Sequence, residues 1–130
     1  MNKNNRSTKI GWAISMLISL MLMLDGVMKI IQPIEVIEAT TQLGYSENSI
    51  LRIGVILIIS TILYLFPKTS FLGAILLTGF LGGAVATHFR IDNPLYSHQL
   101  FPVYLGIFVW LGVALRYPTI RQIFINPKSI

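Results

Sequence analysis

Four long apolar runs, residues 10–31, 50–66, 71–89 and 100–116, separated by short polar breaks, leave this chain few ways to fold. A bilayer crossing needs about 20 apolar residues at about 1.5 Å rise each, so each run is long enough, or nearly so, to cross as an α-helix. With 130 residues, 54% hydrophobic and 12% charged, and a mean hydropathy of +0.71, the chain carries more apolar surface than a soluble domain of this size can bury. The expectation is an all-α integral membrane four-helix bundle forming a single domain over residues 1–130. A cleaved leader would have a shorter apolar stretch and a small-residue site after it, so the first run reads as a membrane span.

The longest break, residues 32–49, carries Glu35, Glu38 and Glu47 and no basic residue. Pro33 suits the first turn of a short helix and Gly44 its end, and Ile34, Val36, Ile37 and Leu43 alternate with polar residues. This predicts a short amphipathic helix lying in the interface between the first two spans. Ser46 is placed to cap the helix that follows. Pro67-Lys68-Thr69-Ser70 reads as a tight turn, and residues 90–94 as a loop.

Lysine and arginine beside membrane spans accumulate on the cytoplasmic side. Lys3, Arg6, Lys9, Lys68, Arg116, Arg121 and Lys128 fall on one side, against Arg52, Arg90 and Lys29 on the other. Both termini are therefore expected in the cytoplasm, with the chain in the inner (cytoplasmic) membrane. The tyrosines, Tyr64 among them, fall near predicted helix ends, where an aromatic belt would place them. The net charge of +5 is spread singly between apolar runs, which points to topology and away from nucleic acid. Cysteine is absent, so disulfides and thiolate chemistry by this chain are excluded.

Asp25 and Lys29 stand four residues apart inside the first run, positioned to pair on one helix face. Ionisable groups at that depth cost several kcal/mol or about that unless paired or wetted, so they mark either a packing ion pair or a substrate or proton site. Ser15, Ser19 and Gly26 lie on a stripe of small residues along the same helix, and Gly79, Gly82 and Gly83 offer a matching surface on the third span. Packing of the first span against the third is the simplest expectation. His88 and His98 map to the outer side, with Thr87 and Arg90 on the glycine face and His88 turned away from it. They read as hydrogen-bonding groups or a proton-transfer pair; a haem or metal held by both is disfavoured, because no third ligand stands at useful spacing. Pro102 cannot donate to the carbonyl of His98, which predicts a local adjustment of the fourth helix.

Gly26-Val27-Met28-Lys29, Gln42-Leu43-Gly44-Tyr45, Gly73-Ala74-Ile75-Leu76-Leu77-Thr78-Gly79, the stretch from Leu81-Gly82-Gly83 through Ala86-Thr87-His88-Phe89-Arg90, and Leu100-Phe101-Pro102-Val103-Tyr104-Leu105-Gly106 together resemble the DoxX-like family of small bacterial membrane proteins. The resemblance runs from Trp12 to Arg121. It implies a four-helix membrane protein and a redox connection, since relatives are associated with quinone-linked sulfur oxidation and membrane oxidoreductase complexes. Lacking a cofactor motif of its own, the chain is then expected to hold a quinone or support an oxidoreductase partner rather than transfer electrons itself.

Three functions stay open on the sequence. One is an accessory or anchor subunit binding a quinone or lipid-like molecule near the outer face, in a pocket lined by Asp25, Lys29, Thr87, His88 and Arg90, with His98 nearby. Another is a small proton-coupled transporter or permeability factor, which a single four-helix chain would need a homo-oligomer to build. The third is a structural scaffold in which the buried charges only set helix registry.

Overall fold

The structure, a computed structural model, describes residues 3–129. It consists of α1 (Lys3–Ile31), α2 (Ile34–Gln42), α3 (Glu47–Leu65), α4 (Ser70–Arg90), a π-helical turn (Leu95–Gln99), α5 (Phe101–Arg116), α6 (Pro118–Ile125) and a closing 3-10 turn (Pro127–Ser129). The described residues contain no strand. Four segments are long and apolar enough to cross a membrane: Asn5–Ile31, Glu47–Leu65, Ser70–Arg90 and Leu95–Arg116. Only 28% to 33% of the most apolar stretch of each is buried inside the bundle. The large apolar side chains left outside, such as Leu17, Leu24, Ile56 and Leu72, are what a hydrocarbon environment accepts and water does not.

Short connections decide which helices touch. The turn after Phe66 returns α4 directly alongside α3, and residues 91–100 return α5 alongside α4, so the helices form a ring in which α1 packs on α3 and α5. The expected packing of the first span against the third is corrected: α1 and α4 lie diagonally across the bundle and make no helix pair. The small residues of α1 meet other partners. A Cβ on Gly26 would sit 2.6 Å from Cγ1 of Ile58 on α3, and one on Gly54 of α3 would sit 2.9 Å from the Gly26 carbonyl oxygen. At the other end of α1, a Cβ on Gly11 would lie 2.9 Å from the carbonyl oxygen of Gly112 on α5. Close backbone approach through small residues therefore joins α1 to its two ring neighbours. Around Gly79, Gly82 and Gly83 a Cβ would meet nothing within 4 Å, so these glycines pack no helix.

The core is built from Ile18, Leu22, Leu57, Tyr64, Leu77, Leu81, Val109 and Val113. Tyr64 is not part of an interfacial belt but fully buried. Its hydroxyl donates to the Val109 carbonyl at 2.8 Å and stands 3.1 Å from Ser15 Oγ, which is left to donate to it. Burial is possible because both lone-pair and proton find partners on the facing helices.

The interfacial helix is present as α2, with Pro33 as its N-cap residue rather than inside its first turn. Gly44 ends it at φ +95, the left-handed conformation that glycine adopts without cost. Pro102 has its expected effect on the fourth span. With no N–H to bond the His98 carbonyl, the chain winds with longer-range bonds, Gln99 N to Pro94 O at 3.1 Å and Leu100 N to Leu95 O at 2.9 Å. The α register resumes in α5, where Pro102 sits in the first turn and its missing donor is not needed. Beyond the fourth span, Pro118 starts α6, an element the hydropathy pattern did not announce. Phe124 of α6 stacks edge-on against Trp110 of α5 at 5.5 Å.

Candidate functional site

At the end of the bundle away from the start of α1, helices α1, α2, α3, α4 and α5 line a half-open cavity of about 700 Å³. Its wall includes Asp25 and Lys29 from α1, Glu35 and Thr40 from α2, Tyr45 from the α2–α3 connection, and Gly79, Gly83, Thr87 and His88 from α4. Most of the remaining wall is apolar, with Leu22, Ile53, Phe80 and Leu105 among its residues. The absence of side chains at Gly79 and Gly83 leaves this volume open, which is the role the two glycines have here in place of helix packing.

Lys29 donates to Oδ1 of Asp25 at 2.6 Å. The lysine side chain is 16% exposed and the aspartate 51%, so the ammonium is sheltered while the carboxylate looks into open space. Because both members sit on α1, the pair ties no two helices together.

Thr87 donates its hydroxyl proton to the Gly83 carbonyl at 2.9 Å. Its oxygen therefore accepts from the Tyr45 hydroxyl, 2.6 Å away. This bond fastens the α2–α3 connection over the end of α4. His88, expected to turn away from the glycine face, lines the same cavity as Gly79, Gly83 and Thr87; the cavity wraps a broad arc of α4, wide enough to take in both faces at its end. Nδ2 of Asn93 donates to Nδ1 of His88 at 2.7 Å, which leaves the ring proton on Nε2 as a donor.

Two expected pocket residues lie outside the wall. Arg90 extends back to donate to the Leu43 carbonyl at 2.5 Å, closing the C-terminus of α2. A cationic group there suits the unpaired carbonyls of a helix end. Gly44 admits that approach, since a Cβ on it would fall against the guanidinium. His98 stands behind His88, ring centres 5.8 Å apart and nearly perpendicular, and its Nδ1 is 2.8 Å from Ser97 Oγ. Among the described residues no third His, Asp or Glu joins the pair.

The opposite end of the bundle holds a group that charge counting misplaced. Arg116, expected beside the headgroups as a topological charge, is 3% exposed. Its guanidinium lies 4.1 Å from the centre of the Trp12 ring and about 5 Å from those of Tyr64 and Tyr117. One nitrogen donates to Ser70 Oγ, to the Tyr64 carbonyl at 3.2 Å and to the Tyr117 hydroxyl at 3.2 Å. Among the described residues no carboxylate balances it; π faces and the carbonyl end of α3 take that role. The signal available in the sequence was Trp12 and Tyr117 around a glycine-flanked helix end, too ordinary to read without the fold.

No curated protein and no solved structure matches the chain. The sequence profile of the DoxX-like family matches residues 13–112, a stretch that takes in α3 and α4 whole, most of α1 and α5, and every residue of the two clusters described above except Trp12, Arg116 and Tyr117. This four-span membrane protein belongs to the DoxX-like family.

Proposed function

We propose that this chain is an accessory or anchor subunit that binds a quinone or a lipid-like molecule in the cavity at the end away from its termini, in support of an oxidoreductase partner. The observation that carries the reading is the convergence of Asp25, Lys29, Thr87 and His88, from two diagonal helices, on one largely apolar cavity of about 700 Å³ between the membrane-spanning helices. A pair that served only registry would bridge two helices or be sealed by packing, whereas Asp25 lines the cavity and keeps half of its side chain exposed.

The residues present fit a neutral, hydrogen-bonding ring. Lys29 and the Nε2–H of His88 supply donors, Asp25 holds the ammonium in place, and Asn93 fixes the histidine tautomer. The Tyr45–Thr87 bond holds the α2–α3 connection over the site. When bound, a quinone supplies two-electron redox chemistry; the side chains named here bind it, orient it and exclude water. The distribution of basic residues orients both termini to the cytoplasm and the cavity to the outer leaflet of the inner membrane.

Native mass spectrometry of the protein released from mild detergent tests this. A stoichiometric small molecule on the wild type, lost in Asp25→Asn and His88→Ala variants that keep their melting temperature, is the expected result. A bare chain or bare oligomer in every sample, with no added quinone retained, would overturn the binding reading.

A further inference from the structure

We propose that the ligand is a long-chain amphiphile with an uncharged head, its hydrocarbon tail leaving the cavity along a groove between α1 and α5; this rests on the binding function proposed above. A second cavity, of about 390 Å³, is lined by Ile14, Leu17, Ile18, Tyr104 and Phe108 together with Met21, Phe101 and Leu105. The last three also line the larger cavity. The two spaces therefore adjoin across these three side chains, one with polar groups in its wall and the other apolar.

The order of residues gives them a direction. Along α1 the polar cavity holds Lys29 and Asp25, Met21 is shared, and Ile18, Leu17 and Ile14 belong to the groove alone. Along α5, running the opposite way, Phe101 and Leu105 are shared and Phe108 belongs to the groove. From Asp25 to Ile14 the helix rises about 16 Å at about 1.5 Å per residue, room for a chain of many methylenes. The groove ends where α1 and α5 close on each other, Gly11 and Ser15 meeting Gly112. Leu17 is 64% exposed and Phe108 48%, so the groove is open to the bilayer along its side and a tailed molecule enters laterally. The π-helical turn sets the start of α5, where Phe101 stands at the junction of the two spaces.

The head is uncharged because of what faces it. The wall holds two carboxylates, Asp25 and Glu35, and the one ammonium of Lys29, and His88 is held as a neutral donor by Asn93. A phosphate would meet a net negative wall; a carbonyl-bearing ring meets donors.

The test is equilibrium binding to the full chain in phosphatidylcholine nanodiscs, corrected for partition into empty discs. The probes are ubiquinones with one and with four isoprene units, and lysophosphatidic acid as competitor. The wild type should bind the longer probe at least about tenfold more tightly. Leu17→Trp, a substitution at an exposed position, should abolish that advantage and leave the short probe's affinity unchanged. Lysophosphatidic acid should not compete. Equal affinity for both probes in the wild type, or a length preference that Leu17→Trp leaves intact, overturns the tail groove while leaving the head site standing. Competition by lysophosphatidic acid overturns the uncharged head. Binding of neither ubiquinone overturns the underlying function as well.

Discussion

Buried polar side chains tie the helices of this bundle to one another, through hydrogen bonds at Tyr64 and through one nitrogen and π faces at Arg116, whose Nε and Nη1 find no hydrogen-bond partner among the described residues. Tyr64 is fully buried yet has both an acceptor and a donor, Val109 and Ser15; Tyr64→Phe should cost about 1 kcal/mol, read as a lower melting temperature in detergent with the fold intact by circular dichroism. Arg116 is a stronger case. Its guanidinium faces Trp12 at 4.1 Å, and a double-mutant cycle of Trp12→Leu with Arg116→Met should return a coupling of about 1–2 kcal/mol. Additive losses would show that the ring supplies packing alone. Neither residue was legible as such in the sequence. Tyrosine and arginine near the end of an apolar run look alike whether they meet headgroups or turn inward, and only the neighbour across the ring decides.

Helix by helix, the apolar runs set number and length, because a bilayer demands both from composition alone. The first and fourth elements nonetheless exceed or depart from the runs: α1 begins at Lys3, before hydropathy rises, and the fourth span opens with a π-helical turn. Which helices touch was misread because a stripe of small residues says that something approaches closely, not what. Gly26 faces α3, and Gly79 and Gly83 face a cavity. That difference makes opposite predictions for the same change. Gly83→Ala should leave stability unchanged or raise it by up to about 1 kcal/mol, as glycine is a poor helix former. Gly73→Ala should destabilise by about 1–3 kcal/mol, because the added methyl would fall on the Tyr64 backbone. Thermal unfolding of the two variants side by side distinguishes them. The cavity residues themselves were half legible: Asp25, Lys29, Thr87 and His88 stood out as polar groups in apolar runs, while Tyr45 and Glu35 stood in a polar stretch where nothing ties them to a cavity.

At the level of the molecule, the ring of four antiparallel helices puts both termini at one end and the cavity at the other. The chain has no cysteine, so single cysteines introduced at Lys128 and at Asn93 report sidedness on a clean background. A membrane-impermeant maleimide added to intact cells should label Asn93→Cys and leave Lys128→Cys untouched until the cells are opened; the reverse pattern would invert the orientation. The two buried cations differ in where they are satisfied. Lys29 has its counterion one turn away on the same helix, so its charge is met within α1 and needs no other helix. Arg116 finds its partners, among the described residues, on α1, α3, α4 and the residue after it. The fourth span is thus matched to the assembled ring and not to the hydrocarbon alone, for away from those helices its last charge would stand in an apolar medium with nothing to answer it.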